Sequence, residues 1–173
     1  SPGYDDLRPY VWDDFEVEPS YTYRVDITGD PDDLMMAFSS DARKNVRNTD
    51  DSRYTIREGD WRTVRRIVDR IEERYAEQDE TYPLDREFVH DLYASLPTGA
   101  VRPYECLHEG SFVGGVVALE FDDVIYRWQA STDHDAALPV NDLLDWHVIE
   151  EGRARGREQY DLVGANTPRL NDY

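Results

Sequence analysis

The sequence contains 173 residues, of which 39% are hydrophobic and 12% aromatic, so it is long and apolar enough for one domain with a core. No apolar run approaches the roughly 20 residues that a membrane-spanning helix needs. The formal net charge of −19 disfavours general binding to nucleic-acid phosphates, because such binding relies on a basic surface.

The charged residues are unusual in kind as well as in number, since Lys44 is the only lysine beside 38 acidic residues. Acidic excess with almost no lysine is typical of adaptation to high salt, as in haloarchaeal cytoplasm, where a Debye length of about 3 Å at 1 M salt screens carboxylate repulsion. An acidic mesophilic protein is the alternative. Cys106 is the only cysteine, so no internal disulfide can form, and we expect a buried thiol in a cytoplasmic protein.

The first third of the chain predicts a lead-in, a strand and a helix. Residues 1–20 are rich in Pro, Asp and Tyr without a clear period, so we expect an irregular lead-in. Residues 21–27 alternate apolar and polar side chains, which predicts a half-buried strand. Pro31 suits the first turn of a helix that Asp30 or Thr28 can cap. One buried stripe at i, i+4 spacing follows: Leu34, Phe38, Ala42 and Val46.

The middle of the chain predicts a strand, two helices and two further strands. Residues 53–58 alternate as a short strand, and an amphipathic helix capped by Asp60 follows, with mixed Arg and Glu side chains on its solvated face. Asp85 can cap a shorter helix. Two apolar strands come next. Gly114 and the glycine after it lie inside the second strand, residues 112–121, and indicate a bulge or a close backbone approach.

The last third predicts a hairpin, a helix and a returning strand. Residues 121–123 form a polar turn between two β-rich runs, which is typical of a hairpin. A helical pattern extends from Val140 to about Arg155, and Gly156 ends it. Residues 160–164 then indicate a strand. This order predicts an α/β domain with a mixed sheet, which opens between the hairpin's second strand and the returning strand to leave a slot for a small polar ligand.

Recognised catalytic motifs are absent from the sequence. None of the four histidines has a partner at metal-ligand spacing, so we expect no metal. The segment Asp133-His134-Asp135 is more typical of a charged loop than of a catalytic dyad. No GxSxG nucleophile elbow, P-loop or GxGxxG motif occurs. Motifs alone therefore indicate only an α/β domain.

Four segments in order nevertheless resemble the FemAB-like, or Fem-type, transferases. These segments are FSSDARKNVRNTDDSRYTIREG, VIYRWQAST, PVNDLLDWHVIEEGRARG and YDLVGAN. They are similar to that family's arginine-bearing helix with the strand after it, its later strand, its helix with a central Trp and its closing strand with an Asp. The resemblance covers about residues 20–170. It implies the GNAT acyltransferase fold, a mixed and mostly antiparallel sheet flanked by helices.

The resemblance also implies an activity, the transfer of an acyl or aminoacyl group to an amine on a cell-envelope sugar, a peptide or a small molecule. It admits acyl-CoA as the donor. By resemblance, Arg43 and Arg47 position an anionic group of the substrate or anchor the fold, and Asp161 is a structural or proton-handling carboxylate, the one candidate for a catalytic residue. The residues that we expect to bind substrate are Arg43, Arg47, Tyr126, Trp128, Gln129 and Asn141.

The chain departs from this family in one loop that bears on the donor. Acetyl-CoA-using GNAT domains present a glycine-rich loop to the pyrophosphate, whereas STDHDAALPV has no glycine, and the carboxylates of Asp133 and Asp135 would repel a pyrophosphate. We expect residues 21–173 to form one GNAT-like domain that continues beyond the end of the chain. A catalytically inactive GNAT-like binding module is the alternative function, and the oligomeric state stays open.

Overall fold

Within residues 8–16 and 21–164, which the computed structural model describes, six strands form a sheet in the order β1-β6-β5-β4-β3-β2. The strands are β1 (Arg24–Asp26), β2 (Tyr54–Glu58), β3 (Val101–His108), β4 (Ser111–Phe121), β5 (Val124–Thr132) and β6 (Gln159–Asp161). All neighbours are antiparallel except β5 and β6, which are parallel. The expected mixed, mostly antiparallel sheet is confirmed.

The helices are α1 (Arg8–Trp12), α2 (Pro31–Ala37), α3 (Ser40–Asn48), α4 (Trp61–Glu77), α5 (Arg86–Ser95) and α6 (Val140–Ala154). The short helix α1 lies within the segment that we expected to be irregular. The rest of that lead-in, and Asn166 of the YDLVGAN segment, lie outside the described residues. No helix in the described part of the chain is long and apolar enough to cross a membrane.

The helix boundaries follow from the capping residues that the sequence supplies. The side chains of Asp30, Asp60 and Asp85 each accept a hydrogen bond from the backbone N–H two residues later, at 2.7–2.9 Å. After α6, Gly156 has a φ of +80°, a left-handed conformation that an L residue with a side chain rarely adopts. The predicted starts of α2, α4 and α5 and the predicted end of α6 are confirmed.

The prediction of one continuous helix after Pro31 is wrong, because two helices form there. Phe38 is extended, with φ −67° and ψ 156°, and Ser39 caps α3 by accepting a hydrogen bond from the Ala42 N–H at 3.2 Å. The i, i+4 stripe continues across the break, but Ala42 is only half-buried. The Ser-Ser-Asp sequence that starts α3 is an N-cap signal that outweighs the apolar period.

The two strands at one edge of the sheet are shorter than predicted. Pairing between β1 and β6 covers three residue pairs, from Arg24 opposite Asp161 to Asp26 opposite Gln159. Strand β1 is therefore shorter than the strand predicted over residues 21–27, and Tyr21 is 68% exposed instead of half-buried. Edge strands gain hydrogen bonds on one side only, so short pairing is common there.

Two hydrophobic clusters hold the helices against opposite faces of the sheet. On one face α4 and α5 pack on the sheet through Val64, Ile67, Val68, Ile71 and Val89, which meet Val117 of β4. On the other face the cluster under α6 includes Leu143, Leu144, Val148, Ile149, Val116, Ile125 and Tyr160. The sheet is thus covered on both sides, as the nearly continuous apolar run of β4 predicts.

The bulge expected near Gly114 is present in β4. Phe112 lies opposite Leu107 and Gly114 opposite Cys106, so the residue between them has no partner in β3. At the next glycine, a Cβ would lie 2.7 Å from a backbone carbonyl of β3 and 2.8 Å from a methyl group of Ile67 in α4. Both readings of the glycine pair, a bulge and a close approach, are therefore confirmed.

Candidate functional site

The parallel strands β5 and β6 separate part-way along the sheet. Their ladder has three pairs, from Val124 opposite Gln159 to Tyr126 opposite Asp161. Strand β5 continues to Thr132 beside β4, whereas the Leu162 N–H donates to the carbonyl of Tyr23 at 3.0 Å and so follows β1. No described residue pairs with the free edge of β5 beyond Tyr126. We call this opening the fork.

A second bulge lies on β5 at the fork. Gln129 is opposite Val117, but Arg127 is opposite Ala118, so Trp128 has no partner residue in β4. The indole of Trp128 packs against the cluster under α4. Gln129 lies opposite Val117, a member of that cluster, and so is on the same face of the sheet. A bulge of this kind turns two successive side chains to one face and disturbs the regular hydrogen bonds of the strand.

Asp161 stands at the closed end of the fork, and its carboxylate is fully engaged. Its side chain is 4% exposed. It accepts hydrogen bonds from Thr22 Oγ1 at 2.5 Å, from Arg24 Nε at 3.0 Å and from the Val163 N–H at 2.9 Å. The three donors, one of them a guanidinium, tie β6 to β1 and to the backbone after the strand. These contacts favour the structural role for Asp161.

Arg24 is a residue that sequence reasoning missed. Its guanidinium pairs with Asp161 and also lies over the ring of Tyr126, 6.0 Å from the ring centroid. The alternation of residues 21–27 placed Arg24 on the polar side of a strand, which is correct but does not identify its partner. The only available signal was charge complementarity with an Asp 137 residues away, which requires knowledge of the β1–β6 pairing.

The other face of the fork is braced by a chain of polar contacts to α6. The buried hydroxyl of Tyr160 donates to Asp145 at 2.8 Å, and Arg127 donates to the same carboxylate at 2.7 Å. Arg127 also donates to Asn141 at 2.9 Å, and Asn141 donates to Thr132 at 3.3 Å. Burial, together with the charge of Asp145, raises the pKa of Tyr160 well above its ordinary value, so this hydroxyl stays protonated.

The predicted substrate-binding residues do not converge on one point. Tyr126, Trp128 and Gln129 lie on β5 beside the fork, whereas Asn141 lies at the start of α6 on the opposite face, where its side chain completes the brace. The remaining two, both arginines of α3, lie on the α6 face with it. The structure thus brings the three β5 residues together and leaves the other three apart.

The two arginines of α3 contact the protein itself. Arg43 Nη1 donates to the carbonyls of Met36 and Phe38 at 2.7 and 2.8 Å, which satisfies the end of α2. Arg47 is largely exposed and lies 3.9 Å from the carboxylate of Asp32. The contacts of Arg43 favour the anchoring role over the anion-binding role.

A cleft of about 240 Å³ opens where β5 ends, on the face covered by α4. Its lining consists of Arg70, Glu73, Arg74, Glu77, Phe112, Val113, Ser131, Thr132, Asp133, His134 and Asp135. Neither Arg43 nor Arg47 lines it. The strand that loses its partner at the fork supplies the wall of this cleft at Ser131 and Thr132, so fork and cleft are two parts of one continuous strand edge. No group of three metal-ligating side chains occurs among the described residues.

Comparison with known proteins identifies the family. A family model for the acetyltransferase (GNAT) domain matches residues 20–173. The chain belongs to the GNAT acetyltransferase family. No protein of curated function matches the sequence significantly.

Solved structures resemble this GNAT domain at low sequence identity. The crystal structure of FemX aligns with a TM-score of 0.75 and 11% identity over 88% of this chain and 55% of that one. The C-terminal domain of a putative lysylphosphatidylglycerol synthetase from Agrobacterium fabrum gives 0.57 and 13% over 88% and 49%. A predicted acetyltransferase from Clostridium acetobutylicum, solved with acetyl-CoA, gives 0.50 and 10% over 69% and 86%.

These likenesses concern the fold. The GNAT domain spans about half the length of FemX and of the Agrobacterium protein, 55% and 49%. They support the Fem-like form of the fold that the sequence segments suggested.

Proposed function

We propose that this GNAT domain transfers an acyl or aminoacyl group from an activated ester or thioester to an amine, and that the reaction takes place at the fork between β5 and β6. The observation that carries the proposal is the early end of the β5–β6 ladder at Tyr126 and Asp161, with a bulge at Trp128 on the edge left open. Family membership supports the reaction class.

The open edge of β5 supplies the chemistry that acyl transfer needs. Backbone N–H groups on an unpaired strand edge are fixed donors, and they can bind the carbonyl oxygen of an acyl group as it gains negative charge. The amine nitrogen forms a bond to the carbonyl carbon, the bond to the leaving oxygen or sulfur breaks, and the proton of the amine passes to the leaving group or to solvent. Holding both reactants along one strand lowers the entropic part of the barrier.

The lining at the end of β5 decides whether a CoA donor fits the fork. Acyl-CoA is the donor that the fold suggests, and the Clostridium acetobutylicum structure contains acetyl-CoA. The strand edge fits an extended amide-bearing chain. The exposed carboxylates of Asp133 and Asp135 at the end of the strand do not fit a pyrophosphate, because like charges repel. We therefore route no step through CoA and define the donor only as an activated acyl ester or thioester.

The acceptor in this proposal is an amine of a small molecule, a glycan or a peptide, such as one in cell-envelope synthesis. We assign Arg43 a structural role. Tyr126, Trp128 and Gln129 are assigned to the acceptor side of the fork because they lie together on β5. The net charge of −19 supports activity in a high-salt cytoplasm. That inference predicts that the unfolding midpoint rises with NaCl into the molar range.

The test is a transfer assay on the chain as it stands. The protein is incubated with acetyl-CoA or with the phosphate-free thioester S-acetyl-pantetheine, together with amines of several classes. Thiol release is followed by absorbance and acylated products by mass spectrometry. Gln129→Ala at the fork is compared with Gln78→Ala, the same change at the exposed end of α4. We expect amine-dependent thiol release that falls about tenfold in the first variant, the loss of one hydrogen bond at the fork, and is unchanged in the second.

Two outcomes would overturn the proposal. Equal activity in both glutamine variants would place the reaction elsewhere on the domain. Binding of an acyl donor without any acylated product, in protein whose circular dichroism spectrum is intact, would instead support the inactive binding module.

A further inference from the structure

The cleft at the end of β5 has a lining that discriminates by charge. Glu73, Glu77, Asp133 and Asp135 oppose Arg70 and Arg74, so four carboxylates against two guanidinium groups give a formal charge of −2. Among the described residues, neither of these arginines makes an ion pair, whereas Arg66 one turn earlier pairs with Glu105 at 3.3 Å. A site with this balance attracts a cation and retains donors for neutral or anionic oxygens.

The remaining lining residues are suited to hydroxyl groups and to one apolar face. Ser131 contributes a hydroxyl that both donates and accepts hydrogen bonds, whereas the Thr132 hydroxyl accepts from Asn141 on the α6 face. Phe112 and Val113 contribute the apolar surface, and the guanidinium of Arg66 lies over the Phe112 ring at 5.1 Å from its centroid, which holds the ring in place. Aromatic carbon beside dense polar groups is a common arrangement in sites for small polar ligands.

The size of the cleft limits the ligand. A volume of about 240 Å³ lies just below the range of about 300–1,000 Å³ that is typical of sites for drug-sized ligands. One sugar-sized ring fills such a space, and a folded peptide does not. The cleft is open to solvent on one side through the exposed loop residues Asp133, His134 and Asp135, so a larger molecule can present one terminal ring.

We propose that this cleft binds the acceptor, and that the acceptor is a small cationic amine rich in hydroxyl groups, the chemistry of an amino sugar. The inference rests on the acyl transfer proposed above. Carboxylates of the cleft hold the ammonium group, which loses a proton to solvent before its nitrogen attacks. Arg70 and Arg74 donate to ring oxygens, and the hydroxyl of Ser131 completes the contacts. The wall that Ser131 and Thr132 form continues along β5 to the fork, so the bound amine lies along the same strand as the acyl group.

Binding of free sugars tests this inference without any acyl donor. Glucosamine and glucose share their ring and differ in one group, so titration calorimetry with each isolates the contribution of the positive charge. We expect glucosamine to bind about tenfold more tightly than glucose at low salt, the equivalent of 1.4 kcal/mol, and this advantage to shrink as NaCl is added. Equal binding of the two sugars, tighter binding of inorganic phosphate, or no binding of either sugar would overturn the inference.

A matched pair of variants locates the binding. Glu73→Gln with Glu77→Gln removes two carboxylates from the exposed side of α4, and Asp13→Asn with Glu16→Gln removes two from exposed positions that do not line the cleft. We expect the first pair to weaken glucosamine binding about fivefold and to leave glucose binding unchanged, and the second pair to change neither. Equal effects of the two pairs would show a response to net charge alone and would contradict the cleft.

The failure of this inference can be told apart from the failure of the proposed function. If glucosamine does not bind but a peptide amine is acylated, the acyl transfer stands and the amino-sugar acceptor falls. If glucosamine binds in the cleft but no donor yields an acylated product, the cleft stands as a binding site and the transferase proposal falls.

Discussion

Tyr126 and Asp161 lie opposite each other as the last residue pair of the parallel β5–β6 ladder, and the two strands separate immediately after them. At this point an ion pair links neighbouring elements on each face of the sheet. On the α4 face Arg24 joins β1 to β6 through Asp161, and on the α6 face Arg127 joins β5 to the helix through Asp145. The angle of the opening is therefore set by side chains as well as by the sheet.

The first prediction concerns the pair Arg24 and Asp161. Asp161→Asn and Arg24→Ala should each destabilise the protein, because each removes one partner of an ion pair whose carboxylate is buried. Since Arg24 is partly exposed, we expect a coupling energy of about 1–2 kcal/mol in a double-mutant cycle measured by urea unfolding. Strictly additive effects would show that Asp161 is held by Thr22 and the backbone alone.

The second prediction separates the two arginines of α3. Arg43→Ala should cost about 1 kcal/mol of unfolding free energy, because it removes a charged donor from the partly buried carbonyl of Phe38, whereas water can reach the exposed carbonyl of Met36. Arg47→Ala should change the unfolding free energy by less than about 0.5 kcal/mol, since its ion pair is exposed and long. Urea unfolding of both variants measures this difference. Equal, small effects would return Arg43 to the role of a ligand-binding residue.

Local signals explain why much of the fold could be predicted from the sequence. Asp60 and Asp85 begin their helices by bonding the backbone two residues later, and Gly156 ends α6 through its own φ angle. The turn of the β4–β5 hairpin likewise depends on adjacent residues, with Asp122 at φ +57°. Each of these features is decided within a few positions of the chain, so it is visible before the fold is known.

The site was harder to predict because its geometry depends on distant pairings. The clamp on Asp161 requires Arg24, and the bulge at Trp128 depends on the register between β4 and β5. Arg70 and Arg74 have the spacing of a solvated helix face, and only the position of α4 over the end of β5 makes them part of a cleft. The sequence indicated Trp128 and Gln129, which lie together on β5, and Asn141, which does not lie with them.

The third prediction is a pH dependence that arises from His147. Burial is the main cause that lowers the pKa of His147, against the opposing charge of Glu151 and with a smaller contribution from Arg155. The unfolded chain therefore binds a proton at this position at a higher pH than the folded protein, near the ordinary value of about 6.5. As pH falls through and below that value, protonation favours the unfolded state, and stability is lost.

The measurement for His147 is urea unfolding at several pH values between neutrality and the acidic range in which the protein stays soluble. His147→Gln should lose less stability than the natural protein over this range, because it cannot bind the proton. His90→Gln, a change at a histidine whose side chain is 55% exposed, serves as the control and should follow the natural protein. Parallel curves for all three proteins would contradict the effect of burial on His147.

The last prediction concerns the two carboxylates in the loop after β5. Asp133→Asn with Asp135→Asn removes negative charge from the lining that, in the proposed arrangement, keeps the pyrophosphate of a CoA donor away from the end of β5. The amide at position 133 still accepts a hydrogen bond from the residue-135 N–H. If these carboxylates repel the donor, the variant should lower the KM for acetyl-CoA severalfold at low salt and leave the KM for S-acetyl-pantetheine unchanged, because only CoA carries the phosphates. Added NaCl should reduce the difference by screening the charges. Equal changes with both donors would mean that the loop acts through its conformation, and an increase in the KM for acetyl-CoA alone would show that the carboxylates assist CoA binding instead of opposing it.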